Sequence, residues 1–194
     1  MFFILAGCRS SQPVTQQFYM LELPQAETFQ WPEGASTIGG LCEVAEVNLA
    51  PAYATHQIAV REDSHQIRYF TFNEWAERPG QRLTRMITEF MDDHNVFSEV
   101  VHGRITRVPD HIIETDIHYI EIDTRNGSFN ARIGGEFRLV DNNGGRRVVL
   151  SRSIDRHEEL DGKNVNEFAS SISRMFSEDL HGFSIECMQL VSGG

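Results

Sequence analysis

Residues 44–79, VAEVNLAPAYATHQIAVREDSHQIRYFTFNEWAERP, decide how this chain folds. A strand-like run, Leu41 to Leu49, leads into them and is broken by Ala50-Pro51-Ala52-Tyr53. Pro51 has no N–H to give a sheet ladder, so the run must end there or lie on an edge. A second strand follows, Gln57-Ile58-Ala59-Val60-Arg61, and a polar turn over Glu62 to His65 leads into Gln66-Ile67-Arg68-Tyr69-Phe70. The stretch closes on Asn73-Glu74-Trp75-Ala76-Glu77. Pro79 then suits the first turn of a helix, where a missing N–H costs nothing.

Outward to the right, Leu83, Met86, Ile87, Phe90 and Met91 recur at helical spacing, which predicts a helix over Pro79 to His94. Val96 to Val101 reads as a strand. His111 to Leu160 reads as a three-stranded antiparallel meander. Ile113, Thr115 and Ile117 alternate with Glu114, Asp116 and His118, and the phase flips at Ile120 and Ile122, which predicts a bulge. Asn126-Gly127 is a hairpin signal, and Gly134-Gly135 marks a second bulge or a close backbone approach. A last helix begins near Asn164, where Asn164 and Glu167 have capping-box spacing. Gly182 within it could weaken or end it. The expected fold class is therefore α+β: a mixed or mostly antiparallel sheet with two helices packed on one face, in the order β-β-β-β-α-β-β-β-β-α.

Outward to the left, Gln17 to Leu23 reads as a first strand stopped by Pro24. Residues 25–37 read as a loop, in which Trp31 is either exposed or covers a core edge. The first eight residues, Met1-Phe2-Phe3-Ile4-Leu5-Ala6-Gly7-Cys8, end in the form of a lipobox, Leu-Ala-Gly-Cys. Such a cysteine receives a diacylglyceryl group and becomes the first mature residue in bacterial lipoproteins. A secretory signal ordinarily has a basic start and an apolar stretch of ~7–15 residues. Only seven residues precede Cys8, and none of them is Lys or Arg. Three segments result: 1–8 as a shortened signal and lipobox, 9–15 as a tether, and 16–194 as a single domain. Arg9, rather than Asp, follows the cysteine, which by resemblance to enterobacterial sorting directs the anchor to the outer membrane.

A chain of 194 residues can build a core without disulfide staples. Its net charge of −11 argues against nucleic acid, which needs a basic face, and against attachment to anionic lipid through basic residues. None of the eight histidines lies in a His-Glu-x-x-His arrangement, and no Cys/His cluster has zinc spacing, so neither a metal nor a cofactor is expected. No nucleophile elbow and no phosphate loop is present, so catalysis has no support here. Cys42 and Cys187 either pair across the fold in an oxidising compartment or pack as small apolar residues.

The stretch that opened this reading also resembles a known family. Val47-Asn48-Leu49-Ala50-Pro51-Ala52-Tyr53, then Gln57-Ile58-Ala59-Val60-Arg61, then Tyr69 and Trp75-Ala76-Glu77 before a helix are similar to the ABC-type transport auxiliary lipoprotein family. The resemblance covers about Phe18 to Phe183, and Ala50 departs from the family's usual apolar residue or proline. It implies a non-enzymatic accessory lipoprotein of an intermembrane lipid-transport system, lipid-anchored on the periplasmic side of the outer membrane. Implied partners are a substrate-binding protein with MCE domains, an inner-membrane transport component and further copies of the chain. Cys8 would carry the lipid, and Pro51, Tyr53 and Trp75 are candidate contacts. Tyr53 and Trp75 read equally as a strand end and a core cap. The alternative is a periplasmic solute-binding or hydrolytic lipoprotein with a pocket between sheet and helices.

Overall fold

The computed structural model describes residues 15–24, 29–103 and 106–192. The lipobox and its Cys8 lie outside the described residues. In chain order come β1 (Gln17–Tyr19), β2 (Ile38–Val44), β3 (Asn48–Leu49), β4 (Gln57–Asp63), β5 (Gln66–Trp75), α1 (Pro79–Asp93) and β6 (Phe97–His102). The chain continues through β7 (His111–Asp123), β8 (Phe129–Asp141), β9 (Arg147–Leu160) and α2 (Val165–Ser192). With β2 and β3 taken together as the one strand expected over Leu41 to Leu49, this is the expected order.

β7 is the spine. Along one edge it pairs antiparallel with β8, which pairs antiparallel with β9, giving the expected meander. Its other edge serves three short parallel strands in succession: β2 at 111–113, β3 at 116–117 and β4 at 121–123. Beyond β2 the sheet adds β6 in parallel, and beyond β4 it adds β5 and then β1. The expected single strand divides at Ala45-Glu46-Val47 because helix α1 competes for it. The Val47 N–H donates to Thr84 Oγ1 at 2.9 Å instead of to the sheet. The chain rejoins β7 where the Ala50 N–H donates to the Ile117 carbonyl at 2.9 Å.

The bulge falls between Ile117 and Tyr119, where the change of phase predicts it. Opposite it stand Gly134 and Gly135. A Cβ on Gly135 would come within 2.1 Å of the Asp116 carbonyl oxygen, and one on Gly134 within 2.2 Å of the Tyr119 ring. The glycine pair thus marks a close backbone approach. Pro79 is the first residue of α1, and the expected apolar stripe is buried. Asn164 Oδ1 accepts the N–H groups of Asn166 and Glu167 at 3.1 and 3.2 Å, capping α2. The Glu167 carboxylate accepts the Asp161 N–H, so the box closes one turn further out. Helix α2 runs through Gly182. There the Arg152 guanidinium from β9 lies where a Cβ would stand 2.7 Å away.

Both helices share one apolar core with the sheet. Phe137 of β8 meets Phe176 and Phe183 of α2 at ring distances of 5.4 and 5.2 Å. Cys42 and Cys187 are free and fully buried in that core, and burial raises both thiol pKa values. They pack as small apolar residues.

Candidate functional site

Two surface features carry the chemistry this fold offers. The first is the corner at Pro51. Pro51 occupies the second position of a four-residue turn, in which the Tyr53 N–H donates to the Ala50 carbonyl at 2.8 Å. Proline suits that position because its ring presets the required φ. The turn is pinned from beneath. Tyr53 is buried, and its hydroxyl donates to Glu121 Oε2 at 2.5 Å while accepting from an Arg61 nitrogen at 2.6 Å. Arg61 Nε also donates to Glu121 Oε2 at 3.1 Å. The Tyr69 hydroxyl donates to the Ala52 carbonyl at 3.0 Å.

Glu121 is only 2% exposed, and a lone carboxylate there would be costly. Arg61 on one side and Arg132 on the other, at 3.5 Å from Oε1, supply the compensating charge. Arg132 also pairs with Asp123 at 3.1 Å and stacks on the Tyr119 ring at 4.6 Å. Burial pushes the Tyr53 phenol up to about 12, and the Glu121 carboxylate adds to the shift. The Asp123 carboxyl is held down at about 2, chiefly by its hydrogen bond from Arg125.

The sequence-predicted contacts therefore separate. Pro51 is exposed at the tip of the corner. Tyr53 and Trp75 are buried, at 5% and 3% exposure, and present no surface in this structure. Trp75 packs on Phe168 of α2 at 5.6 Å, the core-cap role. Its backbone is locked to His56, whose carbonyl accepts the Trp75 N–H at 2.7 Å.

The second feature is an open groove of about 600 Å³ between β1 and the first half of α2. Phe18, Met20, Leu23 and Phe29 form one wall, and Ser170 and Arg174 stand on the other. Among the described residues β1 pairs only with β5, so it is the last described strand on that side of the sheet. Phe18 and Met20 are 61% and 49% exposed beside it. The alternative reading from sequence expected a pocket between sheet and helices but did not place it at β1 or name its lining. The groove's signal lay in Phe18-Tyr19-Met20-Leu21, an apolar run on both faces of a strand that needs only one buried face. Trp31 covers a core edge, seated against Phe90, His94 and His181.

Among the described residues no group of three or more His, Cys, Asp or Glu side chains converges to hold a metal. No described helix is long and apolar enough to cross a membrane.

Comparison with known proteins places this geometry. A crystal structure of a Xanthomonas campestris protein from the DUF330 family superposes with a TM-score of 0.76 at 14% identity, covering 91% of this chain and 97% of that one. An uncharacterised protein superposes at 0.67 with 13% identity, covering 89% and 98%. A hypothetical protein of Chlamydia trachomatis reaches 0.51 at 7% identity, covering 80% and 99%. At such identities these likenesses speak for the fold. No curated protein sequence matches the chain. The family described as the ABC-type transport auxiliary lipoprotein component matches residues 19–178, which take in the corner, α1, the first half of α2 and all of the groove but Phe18. The chain belongs to the ABC-type transport auxiliary lipoprotein family.

Proposed function

We propose that the chain is a membrane-tethered accessory lipoprotein of an MCE/ABC-type intermembrane lipid-transport system. It acts as a non-enzymatic docking or bridging component. Cys8 carries the lipid and holds the domain on the periplasmic side of the outer membrane. Its partners are an MCE-domain substrate-binding protein, an inner-membrane transport component and further copies of itself. Family membership supports the transport setting. The observation that carries the docking role is the edge of β1. There Phe18 and Met20 stand exposed next to the tether, where a partner could bury them. The pinned Pro51 corner gives a second rigid projection at low ordering cost.

The test is a pull-down from detergent-solubilised envelopes with the full native signal, beside Cys8→Ala and Phe18→Ser/Met20→Ser versions. The wild type is expected in the outer-membrane fraction with an MCE-domain protein. Cys8→Ala is expected to lose the membrane, and the double serine variant to lose the partner while staying anchored. An unchanged Cys8→Ala together with no MCE partner would sink the reading. The groove itself favours a second reading, a solute-binding lipoprotein, because Ser170 and Arg174 face apolar side chains across it. Native mass spectrometry of the extracted protein separates the two: a retained small amphiphile, lost on Phe18→Ser, would favour solute binding.

A further inference from the structure

Residues 29–35 form a strap that borders two clefts. Phe29 walls the groove, and Pro32, Glu33, Gly34 and Ala35 wall a smaller cleft with Ile185. The strap is fastened to the helices by rings. Phe29 stands edge-on to Phe90 at 5.2 Å and tilts against His181 at 4.9 Å. Trp31 stands edge-on to His181 at 4.9 Å and tilts over His94 at 5.2 Å. His94, which caps the C-terminus of α1, touches Phe90 at 4.5 Å. The His181 ring also bonds the Gln30 backbone, a contact that favours the protonated ring, while its Nε2 is buried without a hydrogen-bond partner among the described residues. Two histidines, one from each helix, thus hold one short strap, and among the described residues none accepts a hydrogen bond at the buried imidazole nitrogen.

We infer that His94 and His181 are a pH-sensitive clamp, closed on the 29–35 strap when both are neutral and released when they take up protons. Protonation at Nε2 would place an unsatisfied N–H⁺ among apolar rings. A second proton on His94 would set two cations against the same strap. The charged groups around the pair do not cancel this. On α1, Asp93 favours the proton on His94 only. On α2, the nearby Glu178 is already engaged by Arg156 and Arg174. The strap brings no charge over residues 29–32, and its Glu33 lies in the second cleft.

Burial holds both imidazoles below their ordinary value of 6.5; at His181 the Gln30 backbone bond opposes burial without outweighing it, and His94 adds to the lowering. The closed form therefore binds fewer protons than the open form. Closure is at full strength above pH 6.5 and is lost as pH falls through the depressed values. Opening at low pH would widen the groove on the Phe29 side. The inference stands apart from the transport reading and needs no partner.

The test is amide hydrogen exchange of the full chain, read as protection factors for residues 29–35 at pH 7.5 and 5.5. Protection is expected to fall between the two pH values by up to about tenfold for each histidine, with β7 and β8 unchanged. His94→Phe/His181→Phe is expected to abolish the pH dependence. Equal protection at the two pH values in the wild type, or a pH dependence that survives in the double variant, overturns the clamp. Because that variant could repack, the carbon resonances of the two imidazole rings are titrated in the wild type as well. Midpoints below 6.5 for both are expected, and a midpoint at or above 6.5 for His181 overturns it.

Discussion

On the helix side of β7, Ile113, Ile117, Ile120 and Ile122 share one apolar core with Phe137, Phe168 and Phe176. On its other side, Glu114 and Asp116 meet Arg138, Glu121 meets Arg61 and Arg132, and Asp123 meets Arg125. The same strand is thus held by shape on one face and by charge on the other. The apolar face gains from area and from close packing, with no direction to satisfy. The charged face gains only while every partner is present, because a buried carboxylate stripped of its cations is worse than none. The helix side should therefore be sensitive to volume and indifferent to pH, and the open side the reverse.

The largest test of that contrast is Phe137→Ala. Its ring sits between Phe176 and Phe183, so the loss should be about 3–5 kcal/mol. Urea unfolding at pH 7 and at pH 5 should give the same loss at both. Glu121→Gln comes next. It leaves Arg61 without its carboxylate and Arg132 with Asp123 alone, and is expected to cost about 2–3 kcal/mol. A double-mutant cycle with Tyr53→Phe should show strong coupling, and additivity between the two would break the idea that the corner is pinned through Glu121.

A pH experiment sharpens the contrast further. The Asp123 pKa is depressed from 3.8 to about 2, so its pairing with Arg125 and Arg132 stabilises the fold above 3.8 and fades as pH falls towards 2. Acid unfolding of Asp123→Asn should lack that part of the slope. The smallest effect lies away from both faces. Asn164→Ala removes the α2 cap and should cost about 1 kcal/mol by thermal or chemical melts.

The elements stabilised locally were the legible ones. The α1 stripe, the meander, the bulge before Tyr119 and the cap at Asn164 each leave a mark within a few residues of sequence. The pairing of β2, β3 and β4 with β7 leaves none, because parallel partners are chosen by the whole fold. The division at Val47 was hidden for the same reason: it depends on Thr84, a residue of α1. At the site, Pro51 announced its corner through its own backbone chemistry. The carboxylate beneath Tyr53 comes from β7, and the groove needs α2 laid beside β1. Neither neighbour can be read at those positions. The capping box was read to the right cap but the wrong reach, since Glu167 turns back to Asp161.

The three parallel strands on one edge of β7 bear on how the chain comes to be folded. Every residue of β2, β3 and β4 that pairs with the spine does so with a strand made later in synthesis. Until β7 appears, β2 and β4 have only β6 and β5 to pair with and β3 has no partner strand, so the sheet they build cannot close. Closure of such long loops is entropically slow, and waiting segments are prone to mispairing. The first half of the molecule is thus more open to mispairing than the β7–β8–β9 meander, whose strands pair in the order in which they are made. A nascent chain halted before His111 should stay protease-sensitive, and the full chain, once α2 can cover the sheet, should gain protection in a single step.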